Sequence, residues 1–159
     1  MRKPAEQDAD FKIRLGEGPW KGLECAPLMD DALYPVMRRD YYEQNGGPDG
    51  LLSLRKMRLL HDSNPRTSWS VWSNALNIVG LPLLQGPRYS SLDLALRAAE
   101  QGLGVVLARH RFVLDALQSG RLINPFEDAV MDLPNSIWIV RPDHGKPTKP
   151  AEIVRQWLL

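Results

Sequence analysis

The amino-acid sequence predicts an α/β fold, because segments with a strand pattern alternate along the chain with segments with a helix pattern. Three observations carry this prediction. Residues 11–15 alternate between apolar and basic side chains, with the period of two expected of a strand. Residues 91–99 repeat apolar side chains at helical spacing, and residues 104–107 form a short apolar run typical of a strand covered on both faces.

The N-terminal quarter of the chain contains three extended segments. The alternation in residues 11–15 predicts a half-buried strand, which the glycines and proline of residues 16–19 end. A second extended segment covers residues 23–28. A third covers residues 33–37, where Pro35 predicts either an edge strand or a crossing segment.

The middle of the chain is predicted to hold a loop, a short strand and a helix. Residues 44–50 are dense in turn-forming residues and predict a loop, and residues 57–60 predict a short strand. Four apolar residues at helical spacing predict one face of a helix that ends at Gly80: Trp69, Trp72, Leu76 and Val79. We expect both tryptophans to pack in the core rather than to stack on a ligand, because aromatic residues at helical spacing usually pack.

The clearest pattern lies in residues 86–109. Ser90 or Ser91 can cap a helix by accepting a backbone N–H bond, and Gly102 suits the left-handed position just past its end. The apolar stripe of this helix consists of Leu92, Ala95, Leu96 and Ala99. The apolar run of residues 104–107 then predicts a buried strand.

The rest of the chain is predicted to add two helices and a strand. A helix over residues 110–118 is expected to turn Phe112, Val113 and Leu117 inward and to stop at Gly120. Residues 137–140 predict a strand, and Thr148 can cap a final helix.

Composition excludes several classes of function. The 159 residues carry 20 Lys+Arg and 19 Asp+Glu, a net charge of +1, without the basic surplus of a protein that grips nucleic acid. Cys25 is the single cysteine, which excludes an internal disulfide framework. With no apolar run of about 18 residues and no secretory signal, we expect a cytoplasmic protein without a membrane partner.

No catalytic or metal-binding constellation is predicted. The three histidines, His61, His110 and His144, are scattered along the chain. The pair His61 and Asp62 is better explained by a partly buried histidine at a strand end than by an acid–base dyad. Cys25 is expected to be a small buried apolar residue.

Two glycine pairs and one basic pair give only weak signals. The segments 16–18 and 102–104 lack the remaining glycines or the lysine of a nucleotide-binding loop, so no cofactor is predicted. Arg38 and Arg39 stand beside Asp40 and predict a solvated surface.

Ser90 and Ser91 form a candidate binding feature. They stand where a helix begins, and a helix N-terminus presents free N–H donors and partial positive charge that suit a carboxylate or another anion. Plain capping is the alternative explanation. The two are compatible, because one serine can cap while the other faces a ligand.

Several short motifs follow one another in a characteristic order. In chain order they are DFKIRLGEGPWKGLE (10–24), LYPV (33–36), LHD with the two tryptophans (60–72), GPRYS (86–90), LALRAA (94–99), GLGVVLAR (102–109), LQSGRL with PF (117–126) and RQWL (155–158). Together they resemble the effector (substrate)-binding domain of LysR-type transcriptional regulators, closest to the branch of glycine-cleavage activators.

The resemblance implies a type 2 periplasmic-binding-protein-like fold, in which two α/β lobes are joined by crossover strands and a small effector lies in the cleft between them. It divides the chain into a polar, disordered start (1–10), a partial first lobe (11–35), a second lobe (36–141) and a return to the first lobe with a C-terminal helix (142–159). The first lobe is expected to be incomplete through N-terminal truncation, and the helix-turn-helix DNA-binding domain is expected to be absent.

By the same resemblance, the expected function is the effector-binding and dimerisation portion of a regulator, sensing a small anionic or amino-acid-like ligand without enzymatic activity. Expected partners are the effector and a second copy or a full-length LysR-type relative, with no direct contact to DNA. The residues expected to line the cleft are Arg14, Ser90, Ser91, Val105 and Trp138.

Three alternative functions stay open at this stage. The first is a non-functional or interfering remnant of a truncated regulator gene. A solute-binding protein would share the fold, but the absence of a visible signal segment argues against it. An enzyme is least favoured, because no acid, base, nucleophile or metal set converges in the sequence.

Overall fold

The computed structural model describes residues 11–47 and 49–142, which fall into two compact units. Among the described residues, the first unit comprises 11–31 with 133–142, and the second comprises 32–47 with 49–132. The lobe boundaries expected from the resemblance stay a prediction. The polar start at 1–10 and the final helix capped by Thr148 lie outside the described residues.

The described part of the first unit is built on strands. Strand β1 (Lys12–Leu15) pairs antiparallel with β5 (Met131–Pro142), and the strand order continues from β5 to β2 (Leu23–Val36). Both β2 and β5 also have residues in the second unit. Ala26 and Ile139 are fully buried here, with Phe11 packed against them.

Strand β1 forms where the sequence predicts a strand, but the predicted half-burial is wrong. All four of its side chains are exposed, with Ile13 at 49% and Leu15 at 42%. Among the strands that the structure describes, β1 lies at one end of the sheet order and its neighbour is β5. Alternation of apolar and polar residues indicates a strand. One face of that strand becomes buried only where another part of the protein packs against it.

Pro35 lies inside a longer strand than the sequence predicts. The two predicted segments 23–28 and 33–37 merge into β2, and Pro35 pairs with Leu107 of the next strand. The register at residues 33–36 is with β4, and within the second unit β2 is the outer strand of the order β2, β4, β3, which agrees with the edge alternative. The crossing alternative agrees with the structure, since β2 has residues in both units.

The second unit places helices around strands. The strand order is β2, then β4 (Val105–Arg109), then β3 (Leu59–Leu60), with β2 antiparallel and β3 parallel to β4. The α-helices are α1 (Arg39–Asn45), α2 (Trp69–Ala75), α3 (Leu92–Glu100) and α4 (His110–Gln118), and two 3₁₀ helices cover Gly50–Lys56 and Pro65–Thr67. Helix α1 and the first 3₁₀ helix were not predicted, and α1 takes the start of the expected 44–50 loop.

The core of the second unit confirms the strongest sequence patterns. Strand β4 is buried along its whole length, as the apolar run predicts. A hydrophobic cluster in this core is formed by Tyr34, Val36, Leu60, Ala95, Ala98, Ala99, Val106, Ala108, Val113, Ala116 and Leu122. Helix α3 begins after Ser91, and Gly102 takes a left-handed φ of 79° just past its end, both as predicted.

Helix α2 ends earlier than the predicted stop at Gly80. Asn77, with a φ of 57°, takes the left-handed position that follows the helix. The N–H of Ile78 bonds to Ser73 O at 2.8 Å, and the N–H of Asn77 bonds to Asn74 O at 3.3 Å. This hydrogen-bond pattern closes the helix, and it leaves Val79 72% exposed instead of on the buried face.

Helix α4 has the predicted bounds, but one predicted inward residue faces out. Val113 is fully buried and Leu117 packs partly against the core, whereas Phe112 is 50% exposed. Successive residues are turned about 100° around a helix, so Phe112 falls outside the stripe that Val113 and Ala116 define. In residues 11–47 and 49–142, no helix combines the length and apolar character needed to cross a membrane.

Candidate functional site

A cavity of about 440 Å³ lies in the second unit, just past the end of β3. Its lining comes from the segment that follows β3, from the start of α2, from the segment before α3 and from β4. The lining residues are Leu60, His61, Asp62, Ser63, Asn64, Pro65, Thr67, Ser68, Trp69, Arg88, Tyr89 and Leu107. Ligands of α/β proteins typically bind at the carboxyl ends of parallel strands, which is where this cavity lies.

Backbone pairing holds the two main walls together. His61 forms a parallel bridge with Arg88. Its N–H donates to Pro87 O at 3.0 Å, and its carbonyl accepts from Tyr89 N at 2.8 Å. This pairing joins the segment before α3 to the end of β3. It also holds the backbone of Arg88 beside that of His61, the residue that precedes Asp62.

The loop below the cavity is organised by its own side chains. Asp62 Oδ1 accepts from Asn64 N at 2.7 Å, and Asn64 Oδ1 accepts from Arg66 N at 3.0 Å. Ser68 caps α2, because its hydroxyl oxygen accepts from Val71 N at 3.1 Å. Short polar side chains bind the backbone in this way where the chain turns, so this wall is preformed.

Trp69 forms the apolar side of the cavity. Its side chain is 2% exposed, and its indole N–H donates to Leu60 O at 2.9 Å. It meets the fully buried Trp72 edge to face, with ring centroids 5.5 Å apart. The core position predicted for both tryptophans is therefore confirmed, and Trp69 also borders the cavity.

Two opposite charges line the cavity without neutralising each other. Arg88 and Asp62 are both lining residues, and neither forms an ion pair with another residue of the described ranges. One oxygen of Asp62 is bound by the loop backbone, and Arg88 is an exposed side chain. The cavity therefore offers one cation and one anion to a ligand.

His61 has a structural role. The ring is 7% exposed, and its Nε2 lies 2.7 Å from Gln85 O. A carbonyl oxygen only accepts, so this nitrogen carries the proton and donates it. The predicted position of this histidine at a strand end is confirmed, and the residue is more deeply buried than the predicted partial burial.

The resolved pKa shifts lie on the surface of the second unit, away from the cavity lining. The Arg38 guanidinium, through its hydrogen bonds to Asp40, lowers the pKa of that carboxyl. Both side chains are close to half exposed, which confirms the predicted solvated surface at Arg38 and Asp40. Hydrogen bonds to Asp115 and Glu100 raise the pKa of Arg121 in a similar surface network.

Two of the predicted site residues lie together in the first unit. Arg14 and Trp138 stand directly opposite each other on β1 and β5. The Arg14 guanidinium carbon lies 4.3 Å from the ring centroid of Trp20, and Trp20 meets Trp138 edge to face at 5.7 Å. The Trp138 indole N–H donates to Gly16 O at 3.0 Å, so this cluster is held by stacking and by a backbone bond.

The other three predicted site residues lie in the second unit. Ser91 is the cap of α3, since its hydroxyl accepts from Leu94 N at 3.3 Å. Ser90 is exposed and directly follows the lining residue Tyr89, and its carbonyl accepts from Ser63 Oγ at 2.9 Å. Val105 is fully buried inside β4. A ligand role for any of the five stays a prediction.

Cys25 departs from its predicted environment. Its side chain is partly exposed, and its sulfur lies 3.5 Å from Trp20 N, which donates to it. The expectation of a buried apolar residue is wrong, because the turn that begins at Trp20 brings backbone polar groups to the sulfur. Among the residues that the structure describes, no three side chains of the metal-binding types form a group that could hold an ion.

Sequence reasoning missed Asp62 and Arg88 as a charged pair of one cavity. Asp62 belongs to the LHD motif and Arg88 to the GPRYS motif, and the two residues are 26 positions apart in the chain. Their proximity depends on the bridge between His61 and Arg88, a non-local pairing that no local pattern indicates.

Comparison with known proteins agrees with this architecture. The family model of the LysR substrate binding domain matches residues 2–159. The glycine cleavage system transcriptional activator of Escherichia coli K12 is 30% identical over 152 residues, which cover 96% of this chain and 49% of that protein. The activator AmpR of Citrobacter freundii is 28% identical over 156 residues, covering 98% of this chain and 52% of that protein.

The solved effector domain of AmpR from Pseudomonas aeruginosa superposes with a TM-score of 0.72 at 26% identity, covering all of this chain and 75% of that structure. Compared with the two full-length relatives above, the chain spans about half of their length. The predicted α/β, type 2 periplasmic-binding-protein-like fold class is confirmed by this likeness. With almost every residue inside the matched family model, the chain belongs to the LysR substrate-binding domain family.

Proposed function

We propose that this chain is the effector-binding and dimerisation portion of a LysR-type transcriptional regulator, and that its ligand is a small zwitterion resembling an amino acid. The observation that carries the ligand class is the presence of Arg88 and Asp62, each without an ion-pair partner among the described residues, in one cavity. A carboxylate pairs with a guanidinium, and an ammonium group pairs with a carboxylate.

The size and surroundings of the cavity support a small ligand. Its volume of about 440 Å³ falls in the range of small-molecule sites, and Trp69, Leu60 and Leu107 give it an apolar side. Ser90, exposed beside Tyr89, is the serine that remains available to a ligand, because Ser91 is engaged as a cap.

The proposed action is a shift between conformational states without chemical change of the ligand. The relatives are named as transcriptional activators, which supports a role without enzymatic activity. A ligand shifts an equilibrium only by binding one state more tightly than the other. The proposed partners are the effector and either a second copy or a longer LysR-type relative in the cytoplasm, with no direct DNA contact by this chain.

Calorimetric titration of the purified chain tests the ligand class. Glycine and L-alanine carry both charges, whereas acetate and methylamine carry one each. We expect the amino acids to bind at least about tenfold more tightly than either single-charge compound, because each charged hydrogen bond contributes about 1.5–3 kcal/mol.

Two matched variants locate the binding. Arg88→Gln is expected to weaken glycine binding about tenfold or more, whereas Arg39→Gln, a change at an exposed arginine on α1, is expected to leave it unchanged. If no amino acid binds, or if both variants bind like the unchanged chain, the proposed ligand class is refuted.

A further inference from the structure

Arg109 is a buried cation in the second unit that lacks a full set of partners. Its side chain belongs to the last residue of β4 and is 6% exposed. Its Nη1 is enclosed and has no hydrogen-bond partner in the part of the chain that the structure describes. A charged group taken out of water is costly unless it is paired, so such an arginine indicates an anion that the described residues do not provide.

Strand geometry places Arg109 beside the cavity. Leu107 lines the cavity, and side chains two residues apart on a strand share a face, so Arg109 stands on the cavity face of β4. The opposite face carries Val106 and Ala108, which belong to the core cluster under the helices.

The end of β3 leaves room at this position. Leu60, the last residue of β3, pairs with Val106, so the final three residues of β4 run past the end of their parallel neighbour. Two residues of strand span about 7 Å, a distance that an arginine side chain covers. Arg109 is not itself a lining residue, but this length brings its guanidinium within reach of a ligand that occupies the cavity past β3.

The charges of the three residues define a ligand class. Arg88 and Asp62 match the carboxylate and the ammonium group of an amino acid, and Arg109 adds a second positive charge. We infer that Arg109 pairs with a second acidic group, so that the ligand is an amino acid with an acidic side chain and a net charge of −1. This inference rests on the proposed function and narrows its ligand class.

L-Glutamate and L-glutamine provide the test, because they have nearly the same shape and differ in the charge of the side chain. We expect the unchanged chain to bind L-glutamate at least about tenfold more tightly than L-glutamine in calorimetry. In Arg109→Gln we expect the two affinities to become equal within about twofold. Arg88→Gln is expected to weaken both ligands while the preference for L-glutamate persists.

A second variant keeps the test decisive where Arg109→Gln fails to fold. Arg109→Lys retains the charge but loses the two-pronged guanidinium, so we expect L-glutamate to bind at least about threefold more weakly and L-glutamine to bind as before. Equal changes for both ligands in this variant would overturn the inference.

Other outcomes separate this inference from the proposed function. Two outcomes would show that Arg109 does not bind a second acidic group: equal binding of both amino acids by the unchanged chain, or a preference for L-glutamate that persists in the Arg109→Gln variant. Neither outcome contradicts the proposed zwitterion site at Arg88 and Asp62. If L-glutamate does not bind but glycine binds in an Arg88-dependent way, the inference alone fails. If no amino acid binds, both fail.

Discussion

Ser90 and Ser91 are adjacent serines with different surroundings. The hydroxyl of Ser91 accepts a hydrogen bond from Leu94 N at 3.3 Å and caps α3, whereas Ser90 is exposed. We expect Ser91→Ala to lower the free energy of unfolding by about 1 kcal/mol, because an orphan N–H at the start of α3 loses its acceptor. Urea unfolding measures the change.

Ser90→Ala is the matched control for this prediction. Its effect is expected to stay within about 0.5 kcal/mol, as for most surface substitutions. Equal destabilisation by both variants would show that the cap does not act as the structure describes.

Asp40 carries a residue-scale prediction about pH. Hydrogen bonds from the Arg38 guanidinium lower the pKa of the Asp40 carboxyl in the folded chain. A lowered folded pKa gives a stabilising contribution that is present above the ordinary aspartate pKa and is lost as the pH falls through the folded value. The pair is exposed to solvent, so the effect on global stability is expected to be small.

An NMR titration of the Asp40 side-chain carboxyl carbon checks this direction. We expect its midpoint to lie below that of an ordinary aspartate in the unchanged chain and to rise toward the ordinary value in Arg38→Gln. Arg39→Gln, which removes the neighbouring charge but not the hydrogen bonds, serves as the control. A midpoint that does not move in Arg38→Gln would contradict the assigned cause.

At the scale of the element, α2 shows how one residue sets a boundary. Asn77 takes a left-handed φ of 57°. This conformation costs free energy for residues that have a Cβ, and asparagine tolerates it better than most of them. We expect Asn77→Ala to reduce stability by about 1 kcal/mol and Asn77→Gly to preserve or raise it.

Asn74→Ala gives the comparison for this boundary, because Asn74 is exposed inside α2 and has an ordinary helical position. Its effect on the midpoint of thermal unfolding is expected to be neutral or stabilising, since alanine favours helix. If Asn77→Ala and Asn74→Ala behave alike, the left-handed residue does not limit the helix.

Elements defined by local patterns were predictable from sequence, and elements defined by distant pairing were less so. Helices α3 and α4 and strand β4 follow from spacing, capping residues and apolar runs, which are properties of neighbouring residues. The exposure of β1 and the merging of two extended segments into the long strand β2 depend on which strands stand beside them. Helix α1 contains no buried residue, so no apolar stripe marked it.

The same division applies to the candidate site. The start of α3 at Ser91 was predictable because capping is local. The cavity was not, because it depends on the bridge between His61 and Arg88 and on the early end of β3. Arg109 gave no sequence signal either, since its burial is decided by packing.

At the scale of the whole molecule, β1 presents exposed apolar side chains at the end of the strand order. Ile13 and Leu15 share one face of this strand, at 49% and 42% exposure. Exposed edge strands of this kind promote association between chains. We expect Ile13→Lys to shift the purified chain toward smaller species in sedimentation velocity.

Leu84→Lys is the matched control for association, because Leu84 is 93% exposed and lies outside the strands. It introduces the same charge and should leave the size distribution unchanged. An equal shift in both variants would assign the effect to net charge instead of to the β1 edge.

The family relationship and the cavity together make ligand binding in the second unit the main expectation for this molecule. The match to the LysR substrate binding domain spans residues 2–159, and the cavity past β3 carries an unpaired arginine and aspartate within the described residues. An amino acid that binds there must perturb the backbone amides of its walls.

A ¹H–¹⁵N correlation spectrum recorded during titration with L-glutamate tests this expectation most directly. We predict that the largest amide shifts fall in residues 60–69, 88–91 and 107–109, and that Arg88→Gln removes them at the same ligand concentration. Saturable shifts confined to other segments, or an unchanged spectrum for every amino acid and carboxylate tried, would contradict a ligand site in this cavity.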